Sequence, residues 1–286
     1  MKEVTKDELR TIQLDMVAYI DQICRKNNIA YSISAGTLLG AIKYQGYIPW
    51  DDDIDLMLTR PNYNKLMEVL MQECPEKYSL LYYKVHEAYL PMAKLYDNRT
   101  SVTSVLDTLN QTSGIFIDIF PLDSLPDDKA EGETFKKQIR KEVTHLTASA
   151  PHGLSYASSE KWEYFIGKLI LWFPYHIHYF GKYRTLAEKV DNLMQKYNDK
   201  DTKYCNYVFS PPKRTAYFDK NLFTEYEDIP FEQLTLRKIK NHAPYLSELY
   251  GDYMQPPRKN QQRNHDYYHW YWKDENNIPS SSSEND

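Results

Sequence analysis

Residues 51–55 read Asp-Asp-Asp-Ile-Asp and run directly into Leu56, Met57 and Leu58. An extended chain sends successive side chains to opposite faces, so from Asp53 to Leu58 acidic and aliphatic positions alternate with period two. Such a segment is a half-buried strand whose aliphatic side, Ile54 and Leu56, demands a core. Asp53 and Asp55 then stand about 7 Å apart on the other side. A divalent cation is the economical reason to hold two repelling carboxylates together. Mg²⁺ takes oxygen ligands, commonly one or two carboxylates completed by substrate phosphates. Taken alone, an acidic cluster reads equally as a solvated turn. An EF-hand loop is disfavoured, because its glycine and twelfth-position glutamate are missing.

The remainder of the chain bounds the setting. At 286 residues and 42% hydrophobic content there is enough apolar side chain for one large domain or two small ones. The 35 Lys and Arg against 40 Asp and Glu leave a net charge of -5, which argues against a phosphate-backbone binder, so nucleic acid is not an expected partner. Mixed charge from Lys2 to Glu8 is unlike a secretory leader, and the expected location is cytoplasmic. Cys24, Cys74 and Cys205 are too far apart for a CxxC site and read as reduced thiols.

Apolar residues from Leu9 to Cys24 recur at helical spacing, predicting a helix over 6–26. Ile29 to Ser34 reads as a short strand that turns at Ala35-Gly36-Thr37 into a short helix. Pro61 opens a helix over 62–73, and strands are expected at 78–85, 90–96 and 114–120, the last ended by Pro121. Beyond, helices at 129–147 and through Leu186 to Tyr197 predict a mostly helical second half. The aromatic stretch from Phe165 to Phe180 is too short to span a bilayer. It reads as a buried helix, with a lipid-touching interfacial patch as the alternative. The expected division is a catalytic core over 1–125, a mostly helical region over 126–275 completing the cleft, and a disordered tail over 276–286.

Two further features bear on the acidic strand. Gly36, where a strand becomes a helix, would let backbone amides approach a phosphate. Asp118 lies between Phe116 and Phe120 on one face of a strand, where a carboxylate is costly unless paired or bound to a cation. Glycine turn, paired acids and a later single acid together describe a metal-dependent phosphate site.

The run from Ser34 to Lys43 and from Gly46 to Leu56, with Phe116-Ile117-Asp118-Ile119-Phe120-Pro121-Leu122-Asp123, resembles the signature blocks of the LicD family of phosphotransferases. A weaker third block is Tyr245-Leu246 with Leu249 to Met254 and Pro256. The resemblance implies an α+β, nucleotidyltransferase-like fold, a small mixed sheet flanked by helices. It also implies transfer of phosphocholine, or a related alcohol phosphate such as ribitol or glycerol phosphate, from a CDP-activated donor to a hydroxyl of a bacterial envelope glycan such as teichoic acid or lipopolysaccharide, releasing CMP.

By motif position Asp53 and Asp55 would hold Mg²⁺, with Mn²⁺ as a substitute, and Asp118 would complete the site or take the hydroxyl proton. Ser34, Gly36 and Thr37 are candidates to contact phosphate, and Lys43 and Lys94 to neutralise it, each weighed against a surface or helix-end role. His265 is a further candidate contact to donor or acceptor. An aromatic cage for choline is conceivable among Tyr267, Tyr268, Trp270 and Trp272, against ordinary packing. A lipid-linked acceptor would bring the enzyme to the inner face of the membrane. The alternatives are a nucleotidyltransferase attacking the α-phosphorus and a non-catalytic adaptor of envelope assembly. A DxD glycosyltransferase is disfavoured, because here the glycine turn precedes the acids on a separate strand.

Overall fold

Thr5 and Glu8 start the first element: each side chain accepts the other residue's backbone N–H, a capping box that opens helix α1, Lys6–Lys26. In the computed structural model, which describes residues 1–110, 112–210, 216–257, 262 and 264–274, α1 ends at Asn27 with Asn28 at φ 51°. Strand β1, Ser32–Ile33, follows and leads into α2, Ala35–Tyr44. Next come β2, Asp55–Thr59, α3, Arg60–Glu73, with Pro61 in its first turn, and the strands β3, Tyr78–Leu81, β4, Ala93–Asp97, and β5, Thr100–Thr103.

Strand β6, Phe116–Leu125, is the centre of a mixed sheet of order β1-β2-β6-β4-β3. It runs parallel to β2 and antiparallel to β4. Pro121 does not end it. Pairing with β4 stops at Ile119 and pairing with β7, Tyr204–Asn206, starts at Asp123, so the residue without an N–H falls between the two partners. Ile117 and Ile119 join the main core with residues of α1 and α3, while Asp118 points from the opposite face.

After β6, Asp128 caps α4, Lys129–Ala148, by accepting the Glu131 N–H at 2.7 Å. The stretch expected as a buried helix breaks at Trp172 into α5, Trp162–Leu171, and α6, Phe173–Tyr179, and only Phe165 of the two helices is buried. No described element covers their outer faces. Helix α7, Tyr183–Met194, packs on α4 around Phe135, Ile139, Leu186 and Val190 to make a second core.

Helices supply most of the regular structure of the second half, as expected, with short strands added toward its end. The chain continues through β8, Phe218–Asp219, the hairpin of β9, Tyr226–Phe231, with β10, Leu234–Ile239, helix α8, Ala243–Tyr250, and β11, His269–Trp272, which pairs with β5. Phe218, Phe231, Leu236, Tyr245 and Trp272 enter the same core as α1 and β6, so the main core draws on both sides of residue 125. The expected tail at 276–286 lies outside the described residues.

Candidate active site

Asp55 and Asp118 are direct partners across the parallel β2–β6 pair, on adjacent strands about 4.8 Å apart. On the other side of β6, Lys94 of β4 is the register partner of Asp118, and its Nζ donates to Asp118 Oδ1 at 2.5 Å. This is a buried ion pair, not a surface one: the Lys94 side chain is 6% exposed and its ammonium also lies 3.7 Å from the Phe116 ring centroid. One rung of the sheet thus carries acid, acid and base from three strands.

Regular β2 begins only at Asp55, so Asp53 stands just before the strand. The ladder is already forming there, because the Asp118 N–H donates to the Ile54 carbonyl at 2.9 Å. Both backbone groups of Asp55 are held by the segment that opens α2: its carbonyl accepts from Ser34 N–H and its N–H donates to Thr37 Oγ1, each at 2.9 Å. Thr37 therefore fixes the strand that bears the acid. Ser34 Oγ is taken up by two phenols, the partly buried Tyr207 at 2.6 Å and the buried Tyr245 at 2.9 Å, which lie 2.7 Å from one another. Ala35 sits at φ 43°, a left-handed conformation costing an alanine about 1–2 kcal/mol, and its N–H donates to Tyr245 OH.

At Gly36 a Cβ would stand 2.7 Å from Asp51 Oδ2. The space opened by the missing side chain is filled by a carboxylate of the chain itself, at the positive end of α2. Asp51 in turn donates a hydrogen bond to Asp53. Burial, together with the negative charge of Asp53, pushes Asp51 up to about 8, so it is largely protonated at neutral pH. Burial also raises Asp53, against the opposing effect of His265, and raises Asp55 well above the ordinary range with help from the charges of Asp53 and Asp118.

His265 lies on this cluster. Its Nδ1 is 2.8 Å from Asp52 Oδ1 and 3.8 Å from Asp53 Oδ2, and its backbone N–H also donates to Asp52. Burial works against its charge, but the hydrogen bond to Asp52 and the charges of Asp53, Asp52 and Asp118 prevail and push it up to about 9. Tyr268 stacks on the His265 ring at 6.2 Å and meets Trp270 and Phe116 edge-on or tilted. Of the four aromatics weighed for a cage, Tyr267, Tyr268 and Trp270 are partly exposed near the acids, whereas Trp272 is fully buried in the core.

Asp53, Asp55, Asp118, Gly36, Lys94 and His265 are thus brought together, with Ser34 and Thr37 beneath them as positioning groups. Lys43 is not: it lies in the last turn of α2, about 12 Å along the axis from Ala35, and donates to the Met254 carbonyl at 3.0 Å. Asp51, Asp52, Tyr207 and Tyr245 join the site without a sequence-based role: Asp51 and Asp52 stand in the acidic run and Tyr245 in the weak third block, whereas Tyr207 carries no local signal.

As donors, these groups suit a hard cation: carboxylate oxygens, partly desolvated and mutually repelling, with proton affinities raised by each other's charge. They do not form a closed cage, since among the described residues no three Asp, Glu, His or Cys side chains converge as ligands. The set fits a cation held by one or two carboxylates and completed by phosphate oxygens.

Residues 28–150 match the family described as "LicD/FKTN/FKRP, nucleotidyltransferase domain", and this segment contains the acidic run, Asp118 and Lys94. The five strands β1, β2, β6, β4 and β3 and the acids lie within the segment that matches this nucleotidyltransferase domain. Over 273 residues the chain is 29% identical to the lipopolysaccharide cholinephosphotransferase LicD of Haemophilus influenzae, covering 93% of this chain and 97% of that relative. Two uncharacterized rickettsial proteins match shorter stretches. That of Rickettsia prowazekii is 45% identical over 51 residues, 18% of this chain and 19% of its own length. That of Rickettsia typhi is 37% identical over 65 residues, 23% of this chain and 21% of its own length. The chain thus matches the LicD family over residues 28–150 and is similar to a LicD cholinephosphotransferase over nearly its whole length.

Proposed function

We propose that the chain is a LicD-family enzyme that transfers phosphocholine, or a related alcohol phosphate, from a CDP-activated donor to a hydroxyl of a bacterial envelope glycan. The observation that carries the reading is the pairing of Asp55 with Asp118 on adjacent parallel strands, with Asp53 beside them and the proton affinities of Asp53 and Asp55 raised. The acceptor oxygen attacks the phosphorus that bears the alcohol, and the bond to the bridging oxygen breaks with its electron pair leaving on CMP. Mg²⁺, held by Asp53 and Asp55, would neutralise the diphosphate and stabilise charge on the departing oxygen. Asp118, oriented by Lys94, is set to accept the hydroxyl proton. His265, protonated at neutral pH, adds positive charge toward the donor phosphates. Tyr267, Tyr268 and Trp270 offer ring faces to a quaternary ammonium. A lipid-linked acceptor would meet the enzyme at the inner face of the membrane.

The test is product analysis with CDP-choline labelled in the choline, Mg²⁺ and a lipopolysaccharide or teichoic-acid precursor. Free CMP and labelled acceptor are expected, and Asp53→Asn or Asp55→Asn should lower the rate at least about a thousandfold with the fold retained. Nucleotide on the acceptor, or a wild-type rate in either variant, would overturn the reading.

A further inference from the structure

Ten of the seventeen large hydrophobic side chains exposed among the described residues fall between Leu154 and Phe180. On α5, Trp162, Ile166 and Ile170 recur every four residues at exposed positions, while Phe165, against which the Trp162 ring rests edge-on, is buried with Leu106, Tyr156 and Ala157. On α6, Phe173 and Ile177 repeat the spacing, followed by Phe180. Ile170 is 71% exposed and Ile177 64% exposed, the values of side chains with no cover. A helix pair apolar on its inner and outer sides has a second apolar medium to meet. With ten and seven residues, the two helices are far too short to cross a bilayer.

Charge identifies that medium. In a chain of net charge -5, residues 164–187 contain no Asp or Glu, but hold Lys168, Lys182, Arg184, His176 and His178. Lys161, Lys182 and Arg184 flank the pair at exposed positions, with exposed Glu160 and Glu163 beside Lys161 at its start. Outward aliphatic residues with a fringe of aromatics and cations match the boundary of an anionic bilayer. A second copy in a two-fold arrangement would bring the same cations face to face. A chain of contacts links the pair to the acids. Lys168 Nζ of α5 donates to the Ser158 carbonyl, Ser158 Oγ accepts the Thr108 N–H at 2.9 Å, Asp107 next to it accepts from Tyr268 OH at 2.5 Å, and Tyr268 stacks on His265.

We infer that α5 and α6 form a monotopic docking surface that seats its outer face in the headgroup region of an anionic lipid bilayer, with the acidic site held close to the lipid. This rests on the exposed face and its charge and is independent of which reaction the site performs. Full-length protein is floated with phosphatidylcholine vesicles containing or lacking phosphatidylglycerol, and its tryptophan emission is followed with brominated acyl chains. Co-flotation with the phosphatidylglycerol vesicles and quenching by the brominated lipid are expected. Ile170→Glu with Ile177→Glu, both at exposed positions and so compatible with folding, should cut the bound fraction about tenfold while leaving the circular dichroism melt unchanged. Recovery of the wild type in the unbound fraction overturns the inference, as does a dimer without lipid that the double variant dissolves, or equal flotation of wild type and variant.

Discussion

Replacing Arg60 by methionine tests how the strand pair bearing Asp55 and Asp118 is held in register. Arg60 follows β2 directly and is 3% exposed. Its Nε and Nη2 reach both carboxylate oxygens of Asp123 on β6 at 2.7 and 2.5 Å, and its Nη1 reaches Asp191 of α7 at 2.8 Å. Burial works against a charged guanidinium here, but Asp123 and Asp191 outweigh it and keep Arg60 protonated. Methionine preserves much of the stem and removes all three charge-assisted bonds. Asp123, fully buried, is left with Asn198 at 2.7 Å, and the cost of stranding a buried charge is about 3–5 kcal/mol. That is a large part of a total of about 5–15 kcal/mol.

The stranded Asp123 will hold its proton to higher pH than in the unfolded chain. Its penalty is therefore absent below the unfolded value near 3.9 and grows as pH rises through neutrality. Urea unfolding followed by tryptophan emission and circular dichroism, at several pH values, measures this. Arg60→Met with Asp123→Leu should recover at least half of the loss, because a buried ion pair is replaceable by apolar side chains although a broken one is not. A deficit below about 1 kcal/mol at neutral pH, or one that does not change with pH, would refute the argument.

Two further expectations concern the acids themselves. Thr37→Val removes the acceptor of the Asp55 N–H while keeping the shape of the side chain. It should cost about 1–3 kcal/mol and lower the melting temperature by several degrees with a matching loss of transfer, whereas Thr37→Ser stays near wild type; equal melts for both variants would show that the bond does not matter. Because burial and mutual repulsion raise the proton affinities of Asp51, Asp53 and Asp55, binding of Mg²⁺ with the donor at neutral pH should release protons. Calorimetry in two buffers of different ionisation heat should therefore disagree at pH 7; identical heats at pH 7 would exclude displacement of protons from these acids.

Much of the framework is legible in the sequence because it depends on neighbours in the chain. The capping box at Thr5 and Glu8, the apolar stripe of α1, Pro61 at the head of α3 and Asp128 before α4 are local signals, and the structure carries each. Alternation along 115–120 correctly separated Ile117 and Ile119 from Asp118. Local signals failed where a distant partner decides. Pro121 stays inside β6 because that strand changes partners at that point. The apolar 165–180 stretch stays exposed because hydrophobicity states the need for an apolar contact without saying which medium supplies it. Lys94 reads as an exposed lysine until β4 is paired beside β6 and the ammonium is carried onto Asp118. Tyr207 and Tyr245 come to Ser34 across 173 and 211 residues of chain.

Five carboxylates, those of Asp51, Asp52, Asp53, Asp55 and Asp118, share one region of the molecule, and the way they are tolerated indicates how the site operates. Lys94 and His265 offset two of the charges, burial and mutual repulsion raise the proton affinities of Asp51, Asp53 and Asp55 so that bound protons offset more, and the head of α2 favours what remains. None of these groups can be rearranged cheaply. Lys94 is fixed by strand register, His265 by three contacts to Asp52, and the strands themselves by Thr37 and Arg60. The repulsion is therefore stored by the fold rather than relaxed. Under the proposed reaction the donor diphosphate is itself anionic and would be rejected by this cleft on its own. A cation held by Asp53 and Asp55 would supply the missing positive charge, so the same negative charge that costs stability in the free protein would make donor and cation bind together.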